Sequence, residues 1–168
     1  MDTDLISVLS QKQIFVNMIV SAWQTQNKKV NDLLDKLSDE EFAKETAAGR
    51  NSGIYLIGHL AAVNDGMLPI LGFGDRLHPE LEEMFLAQPD KAAIERPSLT
   101  QLKEYWNEIN SKLTRLIDDM QPDEWFEKHG LVSAEDFAKE PHRNKLNILV
   151  NRANHQSYHL GQLAYLSK

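Results

Sequence analysis

The chain has 168 residues, a net charge of -7 from 18 basic and 25 acidic side chains, and no cysteine. That length suits one domain spanning residues 1–168, with a core large enough to stand without covalent staples. Lack of thiols excludes a disulfide framework, a cysteine zinc finger and a cysteine nucleophile, leaving His, Asp and Glu as metal ligands, and the acidic balance without a basic run argues against a nucleic-acid partner.

The first residues, MDTDLISVLSQKQ, begin acidic and lack the basic and apolar regions of a secretory signal, and no segment approaches 18 uninterrupted apolar residues. The expectation is a soluble cytoplasmic protein with no membrane partner. Over residues 4–37 apolar side chains recur three and four apart without an internal Gly or Pro, the period of a helix, with a bend expected in the polar stretch 24–29. Ser38-Asp-Glu-Glu41 reads as a capping box opening a short turn. Ser52 caps a second helix running to Leu71, which Gly72 and Gly74 stop. His59 falls amid its apolar stripe of Leu56, Val63 and Ile70, where a polar ring requires a partner: a carbonyl, a neighbouring side chain or a ligand.

Residues 72–97 hold two early glycines and three prolines, a long connection with one helical turn predicted around Leu81 to Phe85. Ser98 caps the third helix, which Pro122 ends. A second irregular connection, 121–141, carries Trp125, Phe126 and Phe137, enough aromatic surface to fold back on the core. The fourth helix spans residues 143–166. With no repeat and no hairpin signal, the class is all-α with four main helices.

On the fourth helix His155 and His159 are four residues apart, so both rings project from one face about one turn apart. Their face also carries Gln162 and Asn151, and lies roughly opposite a stripe of Leu146, Leu149, Val150, Ala153, Leu160 and Ala164. Such a mixed face suits a wet cleft. Two imidazoles at this spacing can converge on one ion, although the pair alone is a weak motif.

Gly58-His59-Leu60 on the second helix, taken with His155-Gln-Ser-Tyr-His159-Leu-Gly-Gln162 on the fourth, resembles the DinB-like family, also called the DinB/YfiT superfamily of four-helix-bundle metalloproteins. Helix order, crossover length and chain length resemble it across essentially the whole sequence. The resemblance implies a four-helix bundle, up-up-down-down, with long crossover connections. It also implies that His59, His155 and His159 form a metal triad with an open position, for a divalent ion: zinc or nickel first, iron or manganese next. Gln162 and Asn151 are candidates to steady a ligand ring, and Tyr55 and Tyr158 to offer a phenol to a substrate pocket. His78, His129 and His142 fall in connections, where solvent exposure is expected.

Some relatives are thiol-dependent transferases or isomerases. The expected function is therefore that of a metal-dependent enzyme acting on a small-molecule substrate, as a hydrolase or as a transferase using a low-molecular-weight thiol as cosubstrate. Gln156 stands where the His-Glu-x-x-His motif of zinc peptidases requires Glu, which disfavours peptidase chemistry. The alternative is a non-catalytic ligand-binding or stress-associated interaction module. In either case the apolar stripe of the fourth helix suits a homodimer.

Overall fold

A computed structural model of the chain describes residues 10–167, and among these residues there are helices and no strands. The expected helical pattern over residues 4–9 lies outside the described residues. Ser10 caps α1 (Gln11–Lys36) by accepting from Gln13 N–H, and Ser38 and Glu41 close both bonds of a capping box on α2 (Asp39–Phe42). Ser52 caps α3 (Gly53–Asp65), which continues past Gly66 as α4 (Met67–Leu71) and stops at Gly72 in the left-handed region, φ 82°. In the long connection α5 (Glu80–Glu82) leads into a π-helical turn, Glu83–Ala87. Then come α6 (Leu99–Asp118), a 3-10 turn at Glu124–Phe126, α7 (Ala134–Lys139), α8 (Lys145–Leu163) and a final 3-10 turn, Ala164–Leu166.

The core joins the four long helices α1, α3, α6 and α8 through Trp23, Leu56, Leu60, Trp106, Leu113, Leu149 and Leu163, all at 0–1% exposure. Burying three tryptophans of 150–250 Å² each contributes roughly 4–6 kcal/mol apiece before the entropy of ordering them is subtracted. Trp125 is the third, so the connection after α6 does fold back on the core. The stretch Gly53–Leu71 is long and apolar enough to cross a membrane, but 72% of its most apolar window is buried inside the protein, as in a core helix.

Contacts at the helix ends fix directions, and they correct the up-up-down-down expectation. Lys12, at the start of α1, is bonded to Asp123 and lies over the Phe126 ring, while Lys145, at the start of α8, pairs with Glu127 at 2.9 Å. Both helices thus start at the end marked by residues 123–127. Gly53 sits against Phe42 and Leu166, so α3 starts at the opposite end, and Lys103 over the Phe42 ring puts the start of α6 there too. The order is up, down, down, up. The physical reason lies in the linkers. Residues 37–52 are taken up by α2 and by a tight turn bridged between Glu45 and Ser52, which reverses the chain locally. Only the connection 72–98 travels the length of the molecule; the 119–144 connection stays at one end, tied by the bridge of Lys128 to Asn144.

Helix α1 runs unbroken through residues 24–29, where the sequence suggests a bend. Asn27 in that stretch is buried and accepts a hydrogen bond from Gln156 Nε2 at 2.7 Å, so the polar run contains an internal contact rather than a hinge.

Candidate metal centre

His59 lies in the second turn of α3, and its direction is set by the crossover that packs over it. Gly58 has no side chain because the Phe85 ring occupies that space: a Cβ there would lie 2.2 Å from the ring. This close approach brings the π-helical turn onto α3, and the Phe85 carbonyl accepts from His59 Nδ1 at 3.0 Å. Tyr55, one turn earlier, donates its hydroxyl to the Gln88 carbonyl at 2.7 Å and stacks near the His59 ring. Arg96 closes the same segment, bonding the carbonyls of Met84, Pro89 and Asp90. The crossover is therefore pinned, and Tyr55 spends its phenol on that anchoring.

The other two imidazoles come from α8. His159 Nδ1 lies 2.6 Å from Gln162 Oε1, so Gln162 steadies this ring from one turn further on. A carbonyl oxygen can only accept, so His59 and His159 both carry their proton on Nδ1 and present the Nε2 lone pair. Those Nε2 atoms each lie 3.1 Å from His155 Nε2, and all three ligand atoms fall within 4.8 Å of one another. Around a tetrahedral ion with bonds of about 2.05 Å, ligand nitrogens stand roughly 3.3 Å apart. The two separations to His155 are within a few tenths of an ångström of that value, and the third is no more than 4.8 Å.

Electrostatics favour neutral rings. Burial pushes His59 below the usual imidazole range, against the Phe85 carbonyl, which pulls the other way. Burial likewise lowers His159, with Gln162 opposing. His155 is lowered to about 4, first by burial, then by the charges that its neighbours His159, His59 and Arg152 would carry or do carry. Neutral imidazole is the form that binds metal. His155 Nδ1 is buried without a partner, so this ring lacks the outer acceptor that the other two possess. The donor set fits a divalent ion of borderline softness, with no carboxylate among its ligands.

Of the further residues singled out from sequence, Asn151 is exposed on α8 and makes no hydrogen bond to His155. Tyr158 is 66% exposed, with its ring edge-on to His159 at 5.1 Å. The connection histidines divide. His142 is exposed as expected, but His129 is buried with Nδ1 accepting from Leu131 N–H, and His78 stacks on Tyr105 and pairs with Glu108 at 2.8 Å. Their connections fold against the helices rather than into solvent, which is why placement in a loop misleads. Three features carry no sequence signal of their own: the Phe85 carbonyl, the buried Gln156–Asn27 pair, and Arg152 beside the triad.

The fold and the site together define a helical domain that gathers three neutral imidazoles from two helices into one potential metal centre. A sequence profile of the DinB superfamily matches residues 22–163, and the chain belongs to that superfamily. No curated protein matches it.

Proposed function

We propose that the protein binds a divalent metal ion through His59, His155 and His159 and uses it in chemistry on a small molecule, as a hydrolase or as a transferase with a low-molecular-weight thiol. The supporting observation is the convergence of three Nε2 lone pairs, two of them aimed by acceptors behind the ring. An ion in such a site supplies Lewis acidity and lowers the pKa of a water or thiol bound to it. The chain's own residues do the rest. Phe85 and Gln162 hold two rings in the ligating tautomer, and the packing of the pinned crossover against α3 leaves the three rings half-buried. The absence of cysteine means that a thiol would arrive as cosubstrate.

Zinc or nickel suits the donor set best, and iron or manganese bind imidazole more weakly. The test is metal content after loading and desalting: wild type retains about one equivalent of zinc or nickel, and His59→Ala, His155→Ala and His159→Ala lose it. Equal, negligible retention by all four proteins would sink the reading. Turnover of an ester or thiol substrate that chelation abolishes and one ion restores would separate an enzyme from a non-catalytic binding module. A homodimer is also part of this reading, although the stripe of the fourth helix is taken up by the chain's own core at Leu146, Leu149 and Ala153; the exposed apolar residues that favour it are Ile14, Phe15 and Met18 of α1, at 46–63% exposure. Light scattering that gives a monomer mass at micromolar protein would remove it.

A further inference from the structure

Arg152 stands three residues before His155 on α8, one turn nearer the helix start and on the side that carries the triad. It is half-buried, and its Nε is buried without a hydrogen-bond partner. Among the described residues it forms no ion pair. The acids of the two ligand-bearing helices explain why. Helix α8 carries no acidic residue, and the one acid of α3, Asp65, is taken by the N–H groups of Leu77 and His78 at 2.8 and 3.0 Å.

The charges that do bear on Arg152 are cationic. The nearest in effect is Arg76, whose own guanidinium is satisfied by the Ala62 carbonyl at 3.0 Å and by Glu82 at 3.4 Å. The Arg152 charge in turn reaches His59 and His155, opposing protonation of both. Leaving the Nε of a half-buried guanidinium without a partner is unfavourable, and a bound acceptor would relieve it. Three neutral imidazoles also leave the double charge of a bound ion uncompensated. A bound ion and the guanidinium together would make the surroundings of the triad strongly positive, with no acidic side chain of α8 and only the engaged Asp65 of α3 to offset it.

We infer that Arg152 is the anion-recognition residue of this cleft, and that the ligand is a small molecule bearing a metal-binding donor at one end and a separate carboxylate, sulfonate or phosphate at the other. The inference rests on the metal-centre reading above. The ion takes the donor, and the guanidinium takes the anionic group through its fork of N–H donors. Arg152 is thereby a specificity-determining residue: it selects anionic ligands over neutral ones of the same shape.

The test uses two hydroxamates that chelate the ion equally and differ at the far end, the monohydroxamate of succinic acid and butyrohydroxamate. Calorimetric titration of the zinc-loaded protein is expected to show the carboxylate probe binding about tenfold tighter. The preference shrinks to within about twofold in Arg152→Gln and is partly kept in Arg152→Lys, which retains the charge but not the fork. Zinc affinity and the melting temperature of the metal-free protein stay at wild-type values or rise in Arg152→Gln, because an unpaired charge has been removed. Wild type that binds both probes alike, or Arg152→Gln that keeps the preference or weakens both probes equally, overturns the assignment while leaving the metal centre standing. Failure of the wild-type protein to hold zinc overturns both.

Discussion

Replacing Gly58 by alanine adds one methyl group to α3, and its consequences can be worked from the packing. The new Cβ would sit 2.2, 2.4 and 2.5 Å from three carbons of the Phe85 ring, against an ordinary contact of about 3.5–4.0 Å. Phe85 is fully buried, with the Tyr55 ring 5.6 Å away on one side and the Arg96 guanidinium 5.5 Å away, so it has nowhere to retreat without moving the π-helical turn. Overpacking of this kind costs about 1–3 kcal/mol, while Gly→Ala inside a helix returns up to about 1 kcal/mol. The net expectation is a loss of roughly 1–2 kcal/mol in urea unfolding of the metal-free protein. The same displacement carries away the Phe85 carbonyl that orients His59, and loss of such an outer partner typically weakens metal binding about 10–100-fold, readable by competition with a zinc chelator. Adding Phe85→Leu to Gly58→Ala makes room for the methyl and recovers part of both losses, a coupling that a double-mutant cycle measures. A Gly58→Ala protein as stable as wild type, with unchanged zinc affinity, would refute the link between this close approach and the site.

Gln162→Leu removes the acceptor behind His159, and zinc affinity should fall about tenfold or more with far-ultraviolet circular dichroism and melting temperature little changed. Gln156→Glu writes the His-Glu-x-x-His motif into α8, yet residue 156 is 1% exposed and faces Asn27 rather than the triad. The expected result is no peptidase activity and a loss of about 1–3 kcal/mol in chemical denaturation, from burying a carboxylate beside an amide oxygen; gain of peptidase activity would mean that the helix is rotated from the position described. Metal-free protein should lose stability on acidification. The folded pKa values of His59, His155 and His159 lie below the unfolded value of about 6.5, so the unfolded chain binds more protons. Their contribution is complete above about pH 6.5 and disappears as pH falls toward 4, the value for His155. Melting temperatures between pH 7.5 and 4 check this, and the slope should flatten in His155→Ala; a slope identical in that variant contradicts the assignment.

The helices are legible in the sequence because period, caps and stops agree: Ser38, Ser52 and Ser98 each accept the expected backbone N–H, and Gly72 adopts the left-handed stop. Convergence of the triad was legible only through resemblance, since no spacing rule places His59 opposite a helix ninety-six positions later in the chain. Direction was not legible. Whether a linker reverses the chain or carries it along the molecule depends on how compactly it folds, and residues 37–52 and 119–144 look no different from a crossover until their bridges are seen. The outer partners divide by chemistry. Gln162 announces itself by standing one helical turn from a ligand, whereas a backbone carbonyl such as that of Phe85 has no identity in the sequence. Arg152 gives no signal in the sequence because an arginine on a helix is ordinarily a solvated charge, and only the unpartnered, buried Nε and the missing counter-ion distinguish it.

The separation of His59 from His155 makes the centre a potential cross-link. An ion held by both helices would close a loop of ninety-six residues that contains the pinned crossover and all of α6. In chain-entropy terms, loops of about this length are where a clip restricts the unfolded ensemble most. Because the site exists only when α3, the π-helical turn and α8 are docked together, the unfolded chain offers no equivalent, and metal bound to the native state stabilises by mass action. The centre would then act as a fastener joining two distant stretches of chain, with the residence time of the ion setting how often the bundle opens.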